Sequence, residues 1–263
     1  MDYKVLFLDI DGTILMPDHT YSASTKDAIS QVKEQGIEVF IATGRPLHEV
    51  RELAQELNVD SFIGYNGAFA IYKNEVLVNE PMNRDQVVRL LEIAEEHHHE
   101  MVLYNREKNY YTSLDHRAVR RFNETFQLRN NALLTKDVLD QILSMTLIHL
   151  NQSETSHYQI DDNLRFSEVN VDGARDAFDV LRLNMNKGEA VKKVLQRLQI
   201  LKEQAIAFGD GMNDKEMLEV VGESFAMGNA HSDLFQYAKY RTTAVTDYGI
   251  FSGLKKLGLV KES

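Results

Sequence analysis

The sequence contains no cysteine, which excludes disulfide bonds, thiolate metal sites and a thiol nucleophile together. A chain without cysteine is compatible with a reducing compartment. Its N-terminal apolar run is interrupted by Asp9 and Asp11, so it lacks the apolar segment of a signal peptide. No apolar stretch approaches the length of a bilayer span. We therefore expect a cytoplasmic protein with no membrane partner.

An excess of basic residues is also missing. Lysine and arginine total 29 against 40 acidic residues, which gives a formal net charge of -11. Surfaces that bind nucleic acid or anionic membranes usually carry a basic excess, so both partners are disfavoured. An acidic exterior also repels phosphate esters at long range. An anionic ligand would therefore need local cations, and a metal ion is the simplest candidate.

The apolar content of 43% in 263 residues is enough for one large or two modest hydrophobic cores. Short apolar runs alternate with helical patterns in the first third of the chain, which predicts a parallel sheet with right-handed crossovers. The predicted elements are strands 4–8, 37–42 and 61–65 and helices 24–35 and 46–57. Asn66-Gly67 then predicts a hairpin turn.

The pattern changes at about residue 82 and returns at about residue 184. The intervening segment mixes short strands and helices, which is typical of a separate α+β module. Afterwards the strand–helix alternation resumes. The sequence therefore predicts an α/β protein with a doubly wound parallel sheet. Its core would comprise residues 1–81 and 184–263, and an α+β domain would be inserted at 82–183.

Four polar clusters directly follow apolar runs, where strands of an open α/β sheet present their ligand-binding ends. They are Asp9-Ile10-Asp11-Gly12-Thr13, Thr43-Gly44-Arg45, Asn66-Gly67 and Gly209-Asp210-Gly211-Met212-Asn213-Asp214. We expect them to share one rim of the domain. Four aspartates gathered there would repel one another, and a divalent cation would relieve the repulsion. Oxygen-only ligands favour Mg²⁺ over Zn²⁺.

These residue types suggest phosphoryl transfer. Asp9 is the candidate nucleophile, and Asp11 the candidate general acid and base. The candidate phosphate-binding groups are the Thr43 hydroxyl, the Gly44 N–H, the Lys187 ammonium and Asn213. Asp210 would bind the metal, and Asp214 would support the residues around it.

At these positions the chain resembles the haloacid dehalogenase-like phosphatases, most closely their Cof-type subfamily. The matching motifs are DIDGT, IATGR, Lys187 in NKG, and GDGMND, in that order along the chain. The resemblance implies a Rossmann-like core with an inserted cap that selects the leaving group. It also implies Mg²⁺ held by the Asp9 carboxylate, the Asp11 main-chain carbonyl and the Asp210 carboxylate, and a backbone contact from Ile10 to phosphate. The expected substrate is a small phosphorylated metabolite, such as a sugar phosphate.

Other functions compete with this hypothesis. A sugar phosphomutase would share the aspartyl-phosphate intermediate, and a non-catalytic metabolite-binding or regulatory protein would share the fold. Asp9-x-Asp11-Gly12 is unlike an EF-hand loop, because a strand precedes it and Thr20 occupies the twelfth position. His97-His98-His99 suggests zinc, but consecutive side chains at a helix end diverge. The sequence leaves the substrate open, and we expect a monomer or small homo-oligomer.

Overall fold

The computed structural model describes residues 2–261, and the chain divides into two compact units. The core unit comprises Met1–Arg45, Arg51–Asn79 and Asn186–Ser263. The insert unit comprises Pro46–Val50 and Glu80–Met185. Residue 1 and residues 262–263, which belong to the predicted core, lie outside the described residues. Among those described, no helix combines the length and apolar composition that a membrane span requires.

The core unit is built on one eight-stranded sheet. Its strands are β1 Val5–Leu8, β2 Glu38–Ala42, β3 Ser61–Gly64, β4 Phe69–Tyr72, β5 Glu75–Asn79, β12 Ala205–Gly209, β13 Glu223–Ala226 and β14 Tyr240–Arg241. The strand order is β14-β13-β12-β1-β2-β3-β4-β5, in which neighbours from β14 to β3 are parallel, whereas β3–β4 and β4–β5 are antiparallel. The doubly wound α/β prediction is confirmed, and the predicted Asn-Gly hairpin joins β3 to β4.

Buried apolar residues form the centre of this sheet. All four residues of β1 are inaccessible to solvent, as expected for a parallel strand covered on both faces. The core helices are α1 Ala23–Glu34, α2 Arg51–Glu56, α5 Lys187–Leu198, α6 Lys215–Val220 and α7 Gly249–Lys256. Helix α1 begins where the Ser22 side chain accepts a hydrogen bond from the Thr25 N–H.

The direction of winding reverses beside β1. From β1 the chain proceeds through β2 and β3 on one side, and β12, β13 and β14 lie on the other. In open α/β sheets, ligands bind where the strand order reverses, at the carboxyl ends of the strands. The ends of β1 and β12 therefore mark the expected binding position.

The insert unit contains one six-stranded sheet and two helices. Its elements are α3 Arg84–His97, β6 Glu100–Tyr104, β7 Asn109–Tyr111, α4 Arg117–Phe126, β8 Asn131–Leu133, β9 Ser144–Ile148, β10 Leu164–Glu168 and β11 Ala177–Arg182. The strand order is β10-β11-β9-β6-β7-β8, antiparallel except for β7–β8. Apolar residues of β6, β9 and β11 pack with helix α3 in one hydrophobic cluster.

The single helix predicted for residues 46–57 is wrong. A 3₁₀ turn at Leu47–Glu49 and helix α2 replace it. Glu49 is bonded within the insert unit, where its Oε1 accepts hydrogen bonds from Asn109 Nδ2 at 2.8 Å and from the Arg129 N–H at 3.0 Å. Residues 46–50 belong to the insert unit and α2 to the core unit, so no single helix runs through both segments.

Other local predictions also differ from the structure. The sequence pattern predicts a helix at 232–238, but the structure has a 3₁₀ helix there, Ser232–Gln236. The strands predicted for the insert are 101–104, 109–113, 145–150 and 165–171, so β11 is not among them. In the structure Asp179 lies inside the insert unit, where Thr146 Oγ1 donates a hydrogen bond to its carboxylate at 2.6 Å. Burial raises the pKa of Asp179, whereas this hydrogen bond lowers it.

Candidate active site

Lys187 is a fully buried cation in the polar cluster of the core unit. Its side chain has no solvent exposure, and its Nζ donates hydrogen bonds to Asp9 Oδ1 at 2.5 Å and Asp214 Oδ1 at 2.6 Å. It is the first residue of α5, where Asn186 caps the helix by accepting a hydrogen bond from the Glu189 N–H. The helix start thus fixes a cation beside the carboxylate that follows β1.

The charges of this group explain the directions of its pKa values. Burial and the Asp214 carboxylate raise the pKa of Asp9 well above its ordinary value, and Lys187 opposes them. Burial lowers the pKa of Lys187, but the two carboxylates more than offset it, so the net change is upward. Lys187 is therefore a cation here, and when both carboxylates around it are ionised they leave an excess negative charge.

Asp210 lies at the end of β12, next to this group. Its Oδ1 accepts a hydrogen bond from Thr13 Oγ1 at 3.2 Å. Burial, followed by the charge of Asp214, raises the pKa of Asp210 to about 6. Asp214 is fully buried, and its Oδ2 accepts hydrogen bonds from the backbone N–H groups of Asp210 and Gly211, each at 3.0 Å. Asp214 therefore orders the loop that carries Asp210.

The residues present fit a hard divalent cation. Carboxylate oxygens of Asp9, Asp210 and Asp214 lie within 4.8 Å of one another. Such an all-oxygen set, with an excess negative charge, suits Mg²⁺. The Asp214 oxygens are already bonded to Lys187 and to backbone N–H groups, so Asp9 and Asp210 are the carboxylates available to a metal.

Asp11 lies outside the buried carboxylate group. Its side chain is 53% exposed and pairs with Arg45, whose Nε donates to Asp11 Oδ2 at 2.7 Å. The two residues follow β1 and β2, so adjacent strand ends bring them together. Sequence reasoning singled out Arg45 only as part of a motif and did not assign it this contact.

The candidate phosphate-binding residues come from the same loops. Thr43 is buried, and its Oγ1 accepts a hydrogen bond from the Arg45 N–H at 3.0 Å. Ile10 is also buried, and its carbonyl accepts hydrogen bonds from the N–H groups of residues 13, 14 and 15. Gly44 and Asn213 both lie against the side chain of Asn66.

Asn229 is a contact residue that the sequence analysis missed. Its Nδ2 donates to the Gly12 carbonyl at 2.8 Å and, at 3.4 Å, to Asp210 Oδ2. Its Oδ1 accepts from the Val245 N–H at 2.8 Å. Asn229 follows β13, so the strand-end rule that found the other clusters could have found it.

The consecutive histidines form no metal cluster. In the part of the chain that the structure describes, the aspartate group above is the only set of three ligand residues with closely spaced ligand atoms. His97 stacks on His157 with ring centroids 4.0 Å apart. His99 Nδ1 instead lies 2.9 Å from the Tyr158 hydroxyl. These side chains therefore pack within the insert unit.

A family model described as haloacid dehalogenase-like hydrolase matches residues 6–254. The chain belongs to this family. The match spans both units and all the motifs above, and it confirms the family predicted from the sequence.

Similar proteins cover almost the whole chain. "Putative phosphatase YkrA" of Bacillus subtilis (strain 168) is 34% identical over 266 residues, 99% of this chain and 100% of the relative. "5-amino-6-(5-phospho-D-ribitylamino)uracil phosphatase YitU" of the same organism is 26% identical and covers 96% of each chain.

Solved structures of this family share the fold. A hypothetical protein from Geobacillus kaustophilus HTA426 has 31% identity and a TM-score of 0.90, with coverage of 98% of this chain and 100% of that one. The HAD subclass IIB sugar phosphatase BT4131 has 23% identity and a TM-score of 0.82, with the same coverage. The second likeness shows the fold alone.

Proposed function

We propose that the protein is a Mg²⁺-dependent phosphatase that hydrolyses small phosphorylated metabolites through an aspartyl-phosphate on Asp9. The observation that carries this proposal is the buried group at the ends of β1 and β12. There one lysine contacts two aspartates, and a third carboxylate, Asp210, lies beside them. Such a group needs a cation and can receive a phosphate.

In the first step an Asp9 carboxylate oxygen attacks phosphorus, and the bond from phosphorus to the leaving oxygen breaks. Asp11, half exposed beside the buried group, gives its proton to the leaving alcohol. Lys187 contacts Asp9 directly and offsets the charge of the transferring phosphoryl oxygens. The Thr43 hydroxyl, the N–H groups of Ile10 and Gly44, and the Asn213 amide donate further hydrogen bonds.

In the second step water attacks the phosphorus of the aspartyl-phosphate. Asp11 accepts a proton from this water, the bond from phosphorus to the Asp9 oxygen breaks, and orthophosphate leaves. Mg²⁺, held by the carboxylates of Asp9 and Asp210 and the main-chain carbonyl of Asp11, would neutralise part of the phosphate charge. Asp214 would act indirectly, by holding Lys187 and the Asp210 loop.

The names of the relatives support a small phosphate ester as the substrate class. YitU and YcsE of Bacillus subtilis, at 26% and 25% identity, are both named 5-amino-6-(5-phospho-D-ribitylamino)uracil phosphatases. BT4131 is called a sugar phosphatase. We propose that the insert unit is the cap that selects the leaving group. The cytoplasmic location and the monomer or small homo-oligomer remain predictions.

The proposal is tested by phosphate release from an aryl phosphate and a panel of sugar phosphates, with Mg²⁺ and with chelator. We expect Mg²⁺-dependent release that falls about a thousandfold or more in Asp9→Asn. This variant should fold, because Lys187 keeps its contact with Asp214. Unfolding temperatures of both proteins provide the control.

Failure to release phosphate from folded wild-type protein with any of these esters would contradict the proposal. Isomerisation of a sugar phosphate without net release would indicate a phosphomutase instead. Binding of the esters without either reaction would indicate a metabolite-binding protein.

A further inference from the structure

The turn that connects β3 to β4 contacts several of the candidate phosphate-binding elements. The Asn66 N–H donates to the Thr43 carbonyl at 3.2 Å, and the Tyr65 N–H donates to the Arg45 carbonyl at 3.4 Å. On the other side, Gly67 packs on Asn186, so closely that a Cβ at Gly67 would lie 2.2 Å from the Asn186 carbonyl oxygen. The turn thus joins the loop after β2 to the residue that precedes Lys187.

The Asn66 side chain lies between two candidate phosphate donors. Its Oδ1 accepts a hydrogen bond from Asn213 Nδ2 at 3.2 Å. A Cβ added at Gly44 would lie 3.0 Å from the same Oδ1 and 3.2 Å from Asn66 Nδ2. A side chain at position 44 would therefore press on the Asn66 amide, which would have to shift by a few tenths of an ångström.

The hydrogen bond to Asn66 Oδ1 orients the Asn213 amide with its NH₂ group toward Asn66. Asn213 is exposed, so an unsupported side chain would sample several rotamers. Its Oδ1 lies on the side of Gly211, where a Cβ would be only 2.6 Å away, while its NH₂ group faces Asn66. One N–H of this group is used by Asn66, and the second remains for a ligand.

The backbone of the turn is unusual for a hairpin. Tyr65, Asn66 and Gly67 have φ values of 54°, 51° and 98°, so three consecutive residues are left-handed. An Asn-Gly turn accounts for two such residues. Tyr65 is a bulky residue in a disfavoured conformation, and such backbone persists where surrounding contacts enforce it.

We propose that Asn66 is a positioning residue for phosphate recognition, which fixes the Asn213 amide so that its second N–H can donate to a phosphate oxygen. This inference rests on the proposed function. The alternative is that Asn66 serves only the turn, since asparagine tolerates a positive φ.

Asn66→Gly separates the two explanations. Glycine keeps the left-handed backbone and removes only the side chain, so the turn should be retained. Asn58→Gly is the matched control, because Asn58 is an exposed residue of the core unit that also has a positive φ, 53°. Binding of inorganic orthophosphate in the presence of Mg²⁺ is measured for the wild type, both variants, Asn213→Ala, and the double variant Asn66→Gly with Asn213→Ala.

We expect Asn66→Gly to weaken orthophosphate binding about tenfold, because the Asn213 amide would no longer be held in position to donate its hydrogen bond to the charged phosphate. The unfolding temperature should stay near that of Asn58→Gly, which should bind phosphate like the wild type. The double variant should bind no more weakly than Asn213→Ala alone, because Asn66 acts through Asn213.

Wild-type affinity in Asn66→Gly, or losses that multiply in the double variant, would overturn the inference. Phosphate binding does not require turnover. A wild type that binds orthophosphate but hydrolyses no ester would therefore contradict the proposed function, while the same five proteins still decide the role of Asn66.

Discussion

The buried ammonium of Lys187 shows how a residue's role depends on its partners. In the sequence it resembles an exposed lysine at the start of a helix. In the structure its exposure is zero, and Asp9 and Asp214 provide the charge that makes its burial possible. The same two contacts fix the position of the candidate nucleophile.

Asn229 supports a candidate metal ligand through its side-chain amide. Its amide bonds both the Gly12 carbonyl and Asp210, so it orients a candidate metal ligand without holding the metal. We expect Asn229→Ala to weaken Mg²⁺ binding about tenfold, as loss of a residue that supports a metal ligand does. Isothermal titration calorimetry of the metal-free protein measures this effect.

A suitable control is Asn163→Ala. Asn163 donates a comparable amide hydrogen bond, to Asn184 Oδ1 at 2.9 Å, but it lies in the insert unit. Its Mg²⁺ affinity should equal that of the wild type. Equal affinities for Asn229→Ala and Asn163→Ala would contradict the role assigned to Asn229.

At the scale of elements, the turn after β1 packs closely against the loop after β12. Gly12 has a φ of +82°, and a Cβ at this position would lie 2.1 Å from Asp210 Oδ2. Gly36, which follows α1, has a φ of +79° and nothing within 4 Å of such a Cβ. The two glycines therefore share a backbone conformation and differ in their surroundings.

We expect Gly12→Ala and Gly36→Ala each to lose about 1 kcal/mol of unfolding free energy from the left-handed backbone alone. Only Gly12→Ala must also displace Asp210, so only this variant should lose stabilisation by Mg²⁺ and phosphatase activity. Denaturant unfolding with and without Mg²⁺, together with phosphate release, distinguishes them. Retention of both properties in Gly12→Ala would show that the Asp210 carboxylate can move at little cost.

Across the whole molecule, the sequence predicted what depends on apolar periodicity and strand ends. The apolar runs that form β1 and β12 are readily assigned as strands, because parallel strands covered on both faces are apolar throughout. The polar residues that follow them could be assigned to one rim before any coordinates were known. The family match confirms the resemblance that these motifs suggested.

Features that arise from contacts distant in sequence could not be predicted. The 3₁₀ turn at 47–49 belongs to the insert unit, and Glu49 in it accepts hydrogen bonds from Asn109 and Arg129, 60 and 80 positions later. Asp179 is a partly buried acid in β11, and its partner Thr146 lies 33 positions earlier in the chain. Asn66 and Asn213 are separated by 147 positions, so nothing in either local sequence indicates their contact.

The stability of the whole protein should depend on both pH and Mg²⁺. Burial raises the pKa of Asp210 from 3.8 to about 6, and that of Asp9 shifts in the same direction. The metal-free folded protein therefore binds protons more tightly than the unfolded chain. Its stability falls as pH rises through this window, and the loss from Asp210 is complete above about 6.

Mg²⁺ binds the ionised carboxylates, so below about pH 6 it must displace a proton from Asp210, whereas above that pH Asp210 is already ionised. We expect a fixed Mg²⁺ concentration to raise the unfolding temperature more at about pH 7.5 than at about pH 5. Asp210→Asn should show little Mg²⁺ effect at either pH, because both the proton and the metal ligand are lost. An equal rise at both pH values in the wild type would mean that the carboxylates are already ionised at about pH 5, in conflict with the raised pKa of Asp210.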